Sequence, residues 1–222
     1  MSARTAIIAG ASGLVGGYCL RRLLASGLHE QVVAFVRGPL NVTHKRLQQR
    51  TVDFDRLGRM SAFPRAQDVF CCLGTTMKKA GSEEAFRKVD SEYVVRLAES
   101  SIRSGTDRFY LVSAVGASPK SRVFYSRVKG EAEEAVGRLG FGALHIFRPS
   151  FLVGSRAEKR PGEELGIAAA RLVSGVLFGP ARKYRPILAD TVARAMVVVA
   201  REGSPGPHVY NSDEMEGLAT LL

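Results

Sequence analysis

The chain has 222 residues, 45% of them hydrophobic, which suits one domain, or one domain with a small appendage, around a sizeable core. Its 32 basic and 21 acidic residues leave a net charge of +11, yet the basic clusters "THKRLQQR" and "SRAEKRPGEE" carry no interleaved aromatics and no nucleic-acid module, so no nucleic-acid partner is expected. No run approaches the ~18–20 apolar residues that span a bilayer, which excludes a transmembrane segment.

The start, "MSARTAIIAGASG", runs quickly into glycines and does not fit a secretory leader, so a cytoplasmic location is expected. "TAIIAG" reads as a short buried strand, and "LVGGYCLRRLLASG" as a helix stopped by Gly27. "QVVAFVR" is a second strand, "RTVDF" a third and "DVFCCLG" a fourth. A long helix is predicted from the cap Ser82 to Gly105, followed by a fifth strand in "DRFYLVSAVGA". Another helix covers "RVFYSRVKGEAEEAVGRLG", and "ALHIFRPSFLVG" is a sixth strand. Beyond Phe151 the rhythm changes. A loop and helix are expected in "SRAEKRPGEELGIAAARLVSGVLFG", then a short extended piece, a helix capped by Asp190, and a last strand and turn. The loop holds Arg156, Lys159 and Arg160, which either meet an anionic group or are simply solvated.

Strands alternating with helices, and rich in Val, Ile, Phe and Cys without strict alternation, predict an α/β fold. The expected form is a Rossmann-type doubly wound parallel sheet with a small C-terminal α+β substrate region. Residues 1–222 form one domain in this reading, with 1–150 as the cofactor-binding core and 151–222 packed on it.

The turn "GASGLVG" places Gly10, Gly13 and Gly16 between a strand and a helix, with Ser12, Leu14 and Val15 beside them. Such a turn aims free backbone N–H groups at an anion and lets a pyrophosphate approach. The competing reading is a turn that only eases strand–helix packing. Arg37 ends the second strand, where a dinucleotide fold meets the adenine ribose; an arginine there favours a 2′-phosphate and hence NADP(H). A plain surface arginine is the alternative. Asp53 is placed to accept from the adenine amino group and Phe54 to pack beside the ring, with a capping role for Asp53 or Asp55 equally open.

Ser113 closes the fifth strand, twelve residues before Tyr125, and Tyr125 and Lys129 share one helix face. An ammonium near a phenol favours the phenolate, so this trio is a candidate for moving a proton to or from a carbonyl oxygen while a nicotinamide transfers hydride. His29, His44, His145 and His208 show no ligand spacing, and no metal is expected. Cys19, Cys71 and Cys72 give neither a disulfide framework nor a metal motif and read as small buried hydrophobes.

The glycine turn, Ser113 and Tyr125-x-x-x-Lys129 resemble the short-chain dehydrogenase/reductase superfamily. "CCLGTTMKKAGSEEAFRKVDSEYV", "YSRVKGEAEE" and "FRPSFLVGSRAEKRPGE" resemble, more narrowly, its atypical branch, the HIV Tat-interacting oxidoreductase-like family. The resemblance implies an NADPH-binding core with Tyr125 and Lys129 at the nicotinamide ribose. It implies that Leu73, Gly74, Thr75 and Thr76 line the cofactor, and that Pro149, Ser150 and Leu152 lie near the nicotinamide. The superfamily often has an Asn that supports a proton relay where this chain has Asp90, a departure from the pattern. The expected function is reduction of a carbonyl, or oxidation of an alcohol, on a small-molecule substrate. The branch also implies an alternative, a non-catalytic NADP(H)-dependent regulator acting through a protein partner. A monomer or homodimer is expected.

Overall fold

A computed structural model describes residues 4–60, 62–154 and 179–222. Strands β1 (Thr5–Ala9), β2 (Gln31–Val36), β3 (Leu47–Thr51), β4 (Asp68–Cys71), β5 (Arg108–Val112), β6 (Ala143–Arg148) and β9 (Gly206–Asn211) form one sheet in the order β3-β2-β1-β4-β5-β6-β9. Every neighbouring pair is parallel. The order reverses direction between β1 and β4, and a crevice opens at the carboxyl ends of strands at such a point.

Each central strand feeds two cores because successive side chains point to opposite faces. Ala6, Ile8, Val32, Ala34, Phe70 and Tyr110 enter one core with the helices α1 (Leu14–Ser26) and α6 (Ala189–Glu202). Ile7, Ala9, Val33, Phe35, Phe109 and Leu111 enter the other with α4 (Tyr93–Arg103) and α5 (Phe124–Gly137). That double burial is why these strands read as unbroken apolar runs. Each large side chain so enclosed contributes about 1.5–3 kcal/mol.

Several elements depart from the sequence reading. β3 lies upstream of "RTVDF": Leu47–Thr51 hold the register with Val32–Val36, while Val52 and Phe54 turn into the core beneath the sheet. The expected long helix is divided. Ser82 caps α3 (Glu83–Arg87) as expected, accepting from the Ala85 N–H at 3.1 Å, but a π-helical turn (Lys88–Glu92) separates α3 from α4, and a short α2 (Met77–Ala80) capped by Thr76 precedes them outside the expected helix. The sixth strand stops at Arg148 because Pro149 has no N–H to give, and β7 (Leu152–Val153) instead pairs with β8 (Ile187–Leu188).

Asp190 does not cap α6. The cap position is Leu188, and Asp190 in the first turn holds Arg22 of α1 by two hydrogen bonds of 2.9 and 2.6 Å. The last strand joins the main sheet as β9, and the expected turn after it is the helix α7 (Ser212–Ala219), where Glu214 accepts from the Asn211 N–H. The expected loop with Arg156, Lys159 and Arg160, and the helix after it, lie outside the described residues.

Candidate functional site

A cleft of about 750 Å³ opens at the carboxyl ends of β1, β2, β4 and β5, within the size range of cofactor and small-molecule sites. Its floor is the turn from β1 into α1. Gly10 has φ +88°, and a Cβ there would lie 2.3 Å from the Cys72 carbonyl oxygen, so only glycine lets β1 and the end of β4 meet. α1 starts without a side-chain cap and without an acidic residue in its first turn. Its first N–H groups therefore face the cleft uncapped, where Gly13, Leu14 and Val15 form the wall with Ser12.

Gly16 does not line the cleft. A Cβ at this position would lie 2.1 Å from the Gly10 oxygen, so its absence seats the helix on the turn.

Arg37, on the exposed side of the β2 end, stands at one end of the cleft beside Phe35 and Phe54. Phe54 is buried and meets the ring of Tyr93, which also lines the cleft. Asp53 is turned away. Its Oδ1 accepts from the Asp55 N–H at 2.9 Å and its Oδ2 lies 3.7 Å from Arg56, so it builds its own turn rather than the cleft wall.

Leu73, Gly74, Thr75 and Thr76 form the turn after β4, and all four face the cleft. Lys79 of α2 lies there too, a cation the sequence reading passed over. Neither Arg37 nor Lys79 has an ion-pair partner among the described residues.

Ser113, Tyr125 and Lys129 come together on the far wall. Ser113 is 5% exposed and its Oγ has no partner among the described residues. α5 presses on the loop after β5 at Gly130, where a Cβ would lie 2.2 Å from the Ser118 carbonyl carbon; this close approach seats Tyr125 and Lys129 against the cleft. Tyr125 packs its ring 5.3 Å from buried Phe86 and stays 37% exposed.

Lys129 is buried, with its Nζ 2.8 Å from Asp90 Oδ1. The other Asp90 oxygen accepts from the Thr75 N–H at 2.8 Å. Burial pushes the Lys129 ammonium toward losing its proton, but Asp90 and then Tyr125 outweigh it and hold the pKa above the ordinary lysine value.

Leu152 lines the cleft, but Pro149 and Ser150 do not. The Pro149 carbonyl accepts from Val115, the Ser150 N–H donates to Ser212 Oγ at 2.9 Å, and the Ser150 hydroxyl bonds the Arg185 carbonyl. Pro149 thus ties the end of β6 to the loop after β5, and Ser150 joins the carboxyl-terminal elements to it.

Cys19 and Cys71 are buried and Cys72 is half-buried at the cleft. Burial raises the Cys71 thiol to about 12, and contact with Cys19 followed by burial raises Cys72 well above the ordinary value. The Cys71 and Cys72 thiols stay protonated and are poor nucleophiles.

The uncapped helix start, the close glycine turn and the wall after β4 define a nucleotide-binding cleft in a doubly wound sheet. Residues 10–140 match the family model described as NAD(P)H-binding, and the chain belongs to that family. It is 37% identical to protein HTATIP2 of Rattus norvegicus over 201 residues, covering 89% of this chain and 81% of the relative. It is 32% identical to "Protein fmp52, mitochondrial" of Emericella nidulans over 175 residues, covering 76% and 73%. Among solved structures, human epimerase family protein SDR39U1 with NADPH superposes with a TM-score of 0.66 at 16% identity, over 93% of this chain and 74% of that one. MoeE5 in complex with UDP-glucose and NAD gives 0.68 at 17% identity, over 98% and 81%.

These neighbours share the fold, and they hold both cofactor types. The cytoplasmic location expected from the sequence stands against fungal relatives named as mitochondrial. Among the described residues no helix is long and apolar enough to cross a membrane.

Proposed function

We propose that the protein is an NADP(H)-dependent reductase that interconverts a carbonyl and an alcohol on a small molecule. The observation that carries this reading is the convergence of Ser113, Tyr125 and Lys129 on the cleft that the glycine turn opens. The residues present fit a dinucleotide. The uncapped α1 start suits a pyrophosphate, and among the described residues Ser113 Oγ lacks a partner and Arg37 and Lys79 make no ion pair, which suits them to meet phosphate. Arg37 at the β2 end favours the 2′-phosphorylated form.

A reduced nicotinamide bound in the cleft supplies the hydride. Tyr125 gives its hydroxyl proton to the carbonyl oxygen, so hydride and proton together make the alcohol. Ser113 Oγ donates a hydrogen bond to the same oxygen and fixes the substrate. Lys129 places its ammonium beside Tyr125 and favours the oxyanion left after proton transfer. Tyr125 is exposed enough to recover its proton from water. The whole chain is read as one domain, supported by the pairing of β9 with β6 in the main sheet.

The test is a fluorescence titration with NADPH and NADH, followed by a carbonyl panel with wild type and Tyr125→Phe. NADPH should bind more tightly. Tyr125→Phe should keep its NADPH affinity within a few-fold while turnover falls by roughly 10²–10⁴, the usual worth of a general acid. NADPH binding with no Tyr125-dependent turnover on any carbonyl would replace this reading with that of a regulator working through a protein partner.

A further inference from the structure

Asp90 is 1% exposed, and both of its oxygens are committed to the cleft wall. One takes the Thr75 N–H and the other lies against the Lys129 ammonium. Three features make this more than a stray buried pair. Asp90 sits in the π-helical turn Lys88–Glu92, a widened turn of the kind that recurs at functional sites, and it points at the cleft from there. Gly74 lies over the pair: a Cβ would come 3.3 Å from Asp90 Oδ1 and 3.6 Å from Lys129 Nζ, so the turn after β4 closes on both partners. The Asp90 Oδ1 contact is an ion pair without aligned hydrogen-bond geometry, which leaves ammonium protons for an acceptor in the cleft.

We propose that Asp90 is a positioning residue that holds the Lys129 ammonium, as a cation, at the cofactor face of the cleft and locks it to the turn after β4 through Thr75. In this role Asp90 replaces a neutral relay residue with a fixed counter-ion. The cofactor wall is then assembled before any ligand arrives, because a buried ammonium is costly without a partner and Asp90 supplies one. The inference rests on the proposed cofactor contact of Lys129.

The groups facing Lys129 are Asp90 from the π-helical turn, Cys71 from β4 and Tyr125 from its own helix. The Cys71 thiol, raised to about 12 by burial, does not titrate in the working range. Burial is the largest single influence on Lys129 and favours its neutral form. Once Asp90 is neutralised, that influence prevails, and a rise in pH should discharge Lys129 and weaken its hold on the cofactor.

The experiment measures NADPH dissociation constants by fluorescence from pH 7.0 to 9.5, where the 2′-phosphate (second pKa about 6) is largely ionised. Wild type, Asp90→Asn and Asp90→Asn/Tyr125→Phe are compared. Wild-type affinity should hold within about twofold, because a paired ammonium stays charged across this range. Both Asp90→Asn proteins should weaken by about tenfold or more with rising pH, as a charge-assisted contact is lost. A flat Asp90→Asn profile, parallel to wild type, would overturn the proposal.

If Asp90→Asn does not fold, lysine ε-carbon NMR of wild type decides. The Lys129 signal, assigned by its loss in Lys129→Met, should stay at its charged position throughout, and a titration inside the range overturns the proposal. Unchanged NADPH affinity in Lys129→Met would instead remove the cofactor contact, while the NMR still reads whether Asp90 keeps Lys129 charged.

Discussion

The two edges of the central sheet bury the same kinds of polar residue and treat them in opposite ways. At the amino edge, Asp68 opens β4 with no exposure and is surrounded by donors. Arg4 meets it at 2.7 Å, His29 at 2.6 Å, Arg108 at 2.9 Å and Tyr110 at 3.2 Å. Burial alone would raise the Asp68 pKa, but His29, Arg108 and Arg4 outweigh it and hold the group below its ordinary value. At the carboxyl edge, Ser113 Oγ has no partner among the described residues, the Asp90–Lys129 pair leaves ammonium protons unspent, and Arg37 and Lys79 face the cleft.

An unmade buried hydrogen bond costs about 1–3 kcal/mol, and the amino edge carries some too, at Arg4 Nε and His29 Nδ1; what differs is that its charges converge on one carboxylate, while the carboxyl edge turns its polar groups into an open cleft. The closed edge stabilises; the open edge binds.

The largest expected effect breaks the closed edge. Asp68→Asn leaves two guanidinium groups and His29 around a neutral side chain. Removing one partner of a buried charged network costs about 3–5 kcal/mol. Denaturant unfolding should show a loss of that order, while NADPH affinity of the folded fraction stays within about twofold because the cleft lies at the other end of the strands. A large loss of affinity in the folded fraction would mean that the two edges are coupled and that the comparison fails. The pH dependence follows the same sign. A depressed carboxylate contributes stability above its unfolded pKa, about 3.9, and loses it as the pH falls through the folded value.

The next effect belongs to the open edge alone. Arg37 is exposed and makes no ion pair among the described residues, so Arg37→Ala should leave unfolding within about 0.5 kcal/mol. NADPH affinity should fall by about 1.5–3 kcal/mol, the worth of a charge-assisted bond to phosphate, and NADH affinity should not change. Parallel titrations of both cofactors measure this directly. Equal losses for NADPH and NADH would place Arg37 on a part common to both.

The open edge was far more legible in the sequence than the closed one. The glycine turn, Arg37, Ser113, Tyr125 and Lys129 announce themselves through local context: a turn after a strand, a strand end, a helix face. The Asp68 partners lie 39 to 64 residues away along the chain, and no spacing rule links them. The Asp90–Lys129 pair escaped for the same reason. Along the chain Asp90 stands out only as a departure from an expected Asn, and its pairing with Lys129 depends on how the π-helical turn packs on α5. Lys79 lies in the short α2, between the fourth strand and the helix capped by Ser82, where no periodic pattern marks an element. β9 reads locally as part of a C-terminal region because nothing local tells a strand that it will pair with one some sixty residues earlier.

The smallest expected effect sharpens the closed edge by asking whether it also senses acid. Phe70, Tyr110, His145 and His208 occupy paired positions on β4, β5, β6 and β9 and stack ring on ring, with centroids 4.5, 5.1 and 5.2 Å apart. His145 is fully buried, its Nδ1 lies 3.2 Å from the Tyr210 hydroxyl, and its Nε2 has no partner among the described residues. Burial, and after it the neighbouring His208, lowers the His145 pKa from 6.5 to about 4. The imidazole is therefore neutral in the folded chain where the unfolded chain would protonate it. Its contribution to stability is complete above 6.5, declines as the pH falls below that value, and is gone once the pH passes the folded value. Between pH 7.5 and 5 the loss should be about 1–2 kcal/mol. His145→Phe keeps a flat ring in the stack and removes the proton site. Guanidinium unfolding at both pH values should then show a smaller acid loss in the variant, by about that amount, even if its stability at pH 7.5 is lower for want of the Tyr210 contact. Equal acid losses in the two proteins would show that protonation of other groups governs this range, and the closed edge would be a purely structural network.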